Sequence, residues 1–184
     1  GGIRATGHGS LGAVQVSGVR TFSTGGNYEY NGAFAQTTGS GLPGTVNNLT
    51  ITNAAGVTMD STAVVAVNGT LTFNSGTFTT GTDILHSDTL ALAATASVNR
   101  VSGHVVGNLR RGVNSSWNGV QKSFDIGDSA NYTPVSMTFG TVSGAGSLTA
   151  NTTPAEQPNI ASSMIDPARS ASRRRCSSAT LRAT

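Results

Sequence analysis

The sequence predicts an all-β chain in which a right-handed parallel β-solenoid is followed by a small antiparallel β-module. Two observations predict it. Short segments alternate apolar and polar side chains with a period of two, and Gly, Asn or Ser residues separate these segments. Matched apolar residues also recur at a nearly constant offset: Leu49 precedes Leu71 by 22 residues, and Val57 precedes Phe78 by 21. Three short strands in each coil of about 20 residues are what a β-solenoid requires.

We expect the solenoid to occupy residues 1–100. Its strand segments are residues 14–16, 28–30, 49–51, 57–59, 71–73 and 90–92. Coils that stack in parallel, about 4.8 Å apart, place side chains one period apart over each other. Leu71 should then lie beside Leu49 on one side and beside Leu90 or Leu92 on the other. A two-sheet sandwich is the alternative, but its hairpins would not repeat at one offset.

The pattern changes near Arg100, and residues 101–150 are expected to form the antiparallel module. The strand segments lengthen here, to residues 101–109, 120–126, 134–139 and 142–148. Residues 151–184 are expected to be a loop followed by a disordered tail, because prolines and then arginines mark them. The chain starts without a methionine, and we interpret it as a fragment of a longer protein.

Charge and composition exclude several classes of protein. Up to residue 168 the chain has six Lys or Arg residues against eight Asp or Glu residues, so its net basicity belongs to the arginine-rich tail. A nucleic-acid-binding domain needs a basic face, and we therefore expect no nucleic-acid partner. No run of about 18 apolar residues exists, which argues against a membrane span. The lack of helical periodicity argues against a helical bundle.

No motif predicts catalysis, so we expect neither enzymatic activity nor a cofactor. The glycine spacings at residues 7–12 and 39–44 resemble phosphate-binding loops, but no helix is predicted after either one. Four residues could form an acid cluster: Asp60, Asp83, His86 and Asp88. Paired carboxylates would suit a carbohydrate-cleaving solenoid, but turn residues at a coil edge are the favoured interpretation. No set of His, Cys and Asp residues has the spacing of a zinc site, so no metal is expected.

The candidate binding residues are outward-facing threonines on the predicted coils: Thr50, Thr52, Thr70 and Thr72. The offset of 22 residues places Thr50 beside Thr72. A flat array of threonine hydroxyls resembles the face of ice-binding solenoids and would also suit a crystalline glycan. The high β-propensity of threonine explains the same residues without any ligand.

Several blocks of the chain resemble one family and occur in the same order. They are residues 42–51, 67–72, 75–78, 102–111 and 131–135. Across about residues 20–168 the chain is similar to bacterial secreted, cell-surface repeat proteins, whose large adhesin-like chains often end in a type IX secretion sorting domain. The resemblance implies an extracellular or cell-surface location and a structural or adhesive role.

The tail departs from this resemblance. In the resembling proteins the chain continues beyond residue 170 into an aromatic-rich strand, whereas here the arginine-rich residues 171–184 follow. Our hypothesis is that this tail is translated out of frame, in which case its arginines and Cys176 carry no function. An ordered tail packed on the body would contradict the hypothesis.

The expected function is therefore non-catalytic: a stalk or adhesive module of a large secreted bacterial cell-surface protein. Its expected partners are surface glycans or other cell-surface proteins, which stacked coils would contact through many weak sites. A glycan-binding or glycan-cleaving solenoid is the alternative function. An ice-binding surface is the third hypothesis.

Overall fold

A computed structural model of the chain describes residues 21–59, 64–81, 88–153 and 178–183. The predicted fold class is confirmed: short strands stack into a parallel β-solenoid of about four turns, which is joined to a small antiparallel sheet. Each coil contributes one strand to each of three sheets. We name these the first, second and third sheet, in the order in which a coil enters them.

Parallel ladders join every pair of neighbouring coils. The first coil comprises β1 (Asn27–Tyr30), β2 (Gln36–Thr37) and β3 (Thr45–Val46). The second comprises β4 (Asn48–Thr52), β5 (Val57–Thr58) and β6 (Val65–Val67). The third comprises β7 (Thr70–Ser75), β8 (Thr77–Thr79) and β9 (Thr89–Leu92), and the fourth β10 (Ser97–Arg100), β11 (His104–Val106) and β12 (Asn108–Val113). Short 3-10 helices occupy Gly39–Gly41 and Ser115–Trp117.

Antiparallel pairing begins after the fourth coil. β13 (Gln121–Phe124) and β15 (Val135–Thr138) form a separate two-stranded antiparallel sheet. Between them, β14 (Ile126–Gly127) adds one more parallel strand to the second sheet. β16 (Gly146–Thr153) pairs antiparallel with β12 and so extends the third sheet. We call residues 114–153 the end module.

The coil-to-coil register confirms the central prediction, that Leu49 lies beside Leu71. The further prediction, that Leu90 or Leu92 follows Leu71, is wrong. Leu71 pairs next with Val98, whereas Leu90 lies in the third sheet. The connection between β8 and β9 is longer than its counterparts in the first two coils, so a constant offset does not extend into the fourth coil.

Inward side chains of successive coils form continuous apolar ladders. In the second sheet, Val57 lies beside Phe78 as predicted, and Val105 and Ile126 continue the row. All four side chains are buried. Full burial of such a side chain stabilises a fold by about 1.5–3 kcal/mol. Because each coil contacts only its neighbours, these ladders are what join one coil to the next.

One corner of the solenoid requires glycine in two successive coils. The corner lies between the first and second sheets, at Gly76 and Gly103, whose φ angles are +80° and +112°. A β-carbon at Gly76 would overlap the carbonyl oxygen of Asn53, and a β-carbon at Gly103 would overlap the carbonyl oxygen of Gly76. The backbones of neighbouring coils touch here, and only glycine fits.

The solenoid is longer than the sequence predicts. Parallel pairing does not end near residue 100 but continues through β11 and β12 to Val113. The reason is that Val105 and Leu109 continue the inward apolar rows of the earlier coils, and both are fully buried. Antiparallel pairing is therefore confined to the residues that follow the fourth coil.

The tail also differs from its prediction. β17 (Ser178–Ala183) pairs antiparallel with β16, so this part of the tail is ordered. The paired strand argues against the hypothesis that the tail is out of frame. The strand segment predicted at residues 14–16 and the proline-rich loop from residue 154 lie outside the described residues.

Candidate functional site

The predicted binding residues lie on the outer face of the first sheet. Thr50 pairs with Thr72 in register, as predicted. Thr70 instead lies between Asn48 and Ser97, and a register shift after Ile51 places Thr52 beside Ser75. The four predicted residues therefore share one face but do not form a continuous threonine array. Whether they bind a ligand stays a prediction.

Hydrogen bonds occupy part of this first-sheet face. The Thr52 hydroxyl donates to Glu29 Oε1 over 3.0 Å and accepts from Asn74 Nδ2, also over 3.0 Å. By contrast, the hydroxyls of Thr50 and Thr72 make no hydrogen bond within the described parts of the chain. Both side chains are half-buried. The available hydroxyls on the first sheet are thus a single pair, with Glu29 beside Thr50.

A longer threonine row lies on the second sheet. Thr37 pairs with Thr58, and Thr58 pairs with Thr79. We call these three residues the threonine ladder. Val106 follows Thr79 and ends it. The sequence analysis missed this row, although its members lie at a constant offset of 21 residues, which is a signal that the sequence contains.

A cluster of polar and aromatic side chains closes the C-terminal end of the second sheet. The Tyr132 hydroxyl donates to Asp125 Oδ1 over 2.5 Å. The Arg100 guanidinium carbon lies 3.5 Å from the centre of the Tyr132 ring, and the His104 ring centre lies 5.8 Å from it. His104 Nε2 lies 2.7 Å from the carbonyl oxygen of Asp128. These contacts attach the end module to the fourth coil.

Tyr132 remains a proton donor in this cluster at neutral pH. Burial and the neighbouring Asp125 carboxylate raise the pKa of its phenol to about 12, against the opposing effect of Arg100. The neutral phenol is the form that donates to a carboxylate. The cluster therefore has a structural function that the geometry explains completely.

The predicted basic pair Arg110 and Arg111 is divided by the fold. Arg111 is buried, and its guanidinium donates to the carbonyl oxygens of Ser123 over 2.7 Å and Ala96 over 2.9 Å. Its guanidinium carbon lies 5.6 Å from the centre of the Trp117 ring. Burial lowers the pKa of Arg111, and Asp125 opposes that effect. Arg111 thus links the end module to the solenoid instead of binding an anion at the surface.

The catalytic and metal alternatives gain no support from the residues that can be described. Asp60, Asp83 and His86 of the predicted acid cluster lie outside the described residues, and so does the glycine segment at residues 7–12. The second glycine segment forms a short 3-10 helix followed by extended backbone at Leu42. Among the described residues, no group of three or more His, Cys, Asp or Glu side chains could hold a metal ion, and no helix is long and apolar enough to cross a membrane.

Comparison with protein-family models, with curated proteins and with solved structures found no match in any of the three. The resemblance to bacterial surface repeat proteins therefore stays a prediction from the sequence. The parallel solenoid and the two rows of threonines on its faces are what the geometry contributes to the question of function.

Proposed function

We propose that this chain is a non-catalytic structural and adhesive module of a large secreted bacterial cell-surface protein. The observation that carries the proposal is the stacking of about four coils in parallel register, which repeats the same outward positions from coil to coil. Repeated positions present repeated weak contacts, and such contacts sum by avidity when several engage together.

The stack is suited to act as a stalk. Backbone hydrogen bonds between neighbouring coils run along the solenoid axis, as those from Thr38 to Thr58 (3.0 Å) and from Met59 to Thr79 (2.9 Å) do. The buried ladders add apolar contacts in the same direction. A load along the axis is therefore shared by many bonds between coils, while each coil interacts only with its neighbours.

The outer faces are suited to adhesion through many weak contacts. The described threonine rows carry hydroxyls that the fold itself does not use, including those of Thr50 and Thr72. A single hydroxyl contributes little to binding, because it exchanges one hydrogen bond with water for another. A row of hydroxyls on a stiff scaffold binds without further loss of conformational entropy.

A multivalency assay tests the proposal. Beads that carry many copies of the chain should be retained under flow on bacterial cell envelopes, whereas beads that carry single copies should detach at least tenfold faster. An antibody against the chain should also label intact cells that encode it. Equal retention of the two bead types, or labelling only after the cells are broken, would overturn the proposal.

Glycan binding is the alternative that a specific observation favours, because the unused hydroxyls stand in register. Ice binding makes a different prediction, since it requires that the chain inhibit the recrystallisation of ice. We treat both as outcomes to be distinguished by experiment.

A further inference from the structure

The geometry points to the threonine ladder of the second sheet as the contact surface for a neutral polysaccharide chain that lies along the solenoid axis. This inference rests on the proposed adhesive function and names the face and the ligand class through which it would act. It concerns Thr37, Thr58 and Thr79, and not the first-sheet threonines that the sequence singles out.

The ladder presents its hydroxyls at a regular interval. Thr37, Thr58 and Thr79 pair in register on three successive parallel strands. Neighbouring strands in a sheet lie about 4.8 Å apart, so equivalent side chains recur at that spacing along the axis. This interval is close to the length of one pyranose unit in an extended polysaccharide. Successive sugar units could therefore meet successive threonines without bending the chain.

The hydroxyls of the ladder are available to a ligand. None of the three makes a side-chain hydrogen bond within the part of the chain that the structure describes. Thr58, in the middle, is exposed, and Thr37 and Thr79 are half-buried. The exposure of the middle residue shows that no other part of the protein covers the row.

The chemistry of the face favours a neutral sugar over other partners. Beside the ladder, the outward positions of the second and third coils are Gly56 and Thr77, which lie next to each other. Nothing here is charged, so phosphates or acidic polymers find no complement. Nothing here is a large apolar or aromatic anchor of the kind that protein interfaces depend on. What remains is a flat strip of hydroxyl donors and acceptors, which matches the ring hydroxyls of a polysaccharide.

The two faces of the solenoid differ in this respect. On the first sheet, the row through Thr50 and Thr72 begins at Glu29 and ends at Asn99, and Thr52 is already bonded to Glu29. On the second sheet the row is longer, uncharged and unbonded. We therefore assign the ligand to the second sheet.

The experiment measures binding of the full chain to insoluble cellulose and chitin, with alginate as an acidic comparator. The test variant combines Thr37→Val, Thr58→Val and Thr79→Val, which removes three hydroxyls and keeps side chains that favour β-strands. A matched control combines Thr45→Val, Thr138→Val and Thr141→Val, which lie outside the ladder. Circular dichroism and thermal unfolding establish that both variants fold like the parent chain.

The expected result is that the parent and the control bind cellulose or chitin alike and that the test variant binds at least tenfold more weakly. The inference is overturned if the parent binds neither polymer, if it prefers alginate, or if the test variant binds as the parent does. Loss of ice-recrystallisation inhibition in the test variant, without polysaccharide binding, would overturn it in favour of ice. If polysaccharide binding fails while beads still adhere to cell envelopes, only this inference falls; if both fail, the proposed function falls too.

Discussion

The coils and the end module of this protein are held together by different kinds of contact. Between coils, stabilisation comes from rows of identical character: buried apolar side chains inside, and backbone against backbone where Gly103 meets Gly76. The end module is joined by single polar contacts, made by Arg111 and Tyr132. A repeated contact is written into the sequence several times, whereas a closing contact is made once. The comparison predicts that substitutions in the two regions differ in size and in pH dependence.

The largest effect is expected at the glycine corner of the coils. Gly103→Ala should destabilise the protein by about 4 kcal/mol or more, because the new β-carbon meets the backbone of Gly76 and the φ angle of +112° is strained for alanine. Urea unfolding followed by circular dichroism measures this change. Gly144→Ala is the control, since no atom lies within 4 Å of a β-carbon there, and its effect should stay within about 0.5 kcal/mol. Similar stabilities for both variants would mean that the coils do not touch at this corner.

An intermediate effect is expected at the link between the two regions. Arg111→Met should destabilise the protein by about 2 kcal/mol, because it leaves the carbonyl oxygens of Ser123 and Ala96 without their donors. Arg110→Met, on the neighbouring half-buried side chain, should change stability by less than about 0.5 kcal/mol. Buried charges can be replaced by apolar residues without loss in some proteins. An Arg111→Met variant as stable as the parent would place this protein among them and contradict the prediction.

The smallest effect is expected at Tyr132, and it should depend on pH. Tyr132→Phe removes the hydrogen bond to Asp125 and should cost about 1 kcal/mol at pH 7. The fold raises the pKa of this phenol from 10.0 to about 12. A raised pKa in the folded state means that the stabilisation is complete below pH 10 and is lost as the pH rises towards 12.

Urea unfolding of the parent and of Tyr132→Phe at a series of pH values measures this dependence. The difference in stability between the two proteins should shrink above pH 10. The comparison cancels the contributions of Tyr28 and Tyr30, whose pKa values burial also raises. A difference that stays constant from pH 7 to pH 12 would exclude the Tyr132 phenol as its source.

The candidate site was only partly predictable. The pairing of Thr50 with Thr72 followed from the same offset as the pairing of Leu49 with Leu71, because adjacent residues on one strand keep one register. The participation of Thr52 in a hydrogen bond with Glu29 could not be predicted, since it depends on side-chain placement across two coils. The threonine ladder was within reach of the sequence, but its strands are only two or three residues long and show no clear alternation.

The β class, the short strands and the stacking of the second coil on the third could be inferred from the chain alone. They depend on a period of two within a strand and an offset of 22 between strands, and both are properties of residue order. Tertiary structure alone decided that parallel pairing continues to Val113 and that Arg111 lies inside the protein. The physical reason is that the length of a coil depends on how far its corners protrude, and burial depends on which surface finally covers a side chain. Neither quantity is encoded in the local alternation of apolar and polar residues.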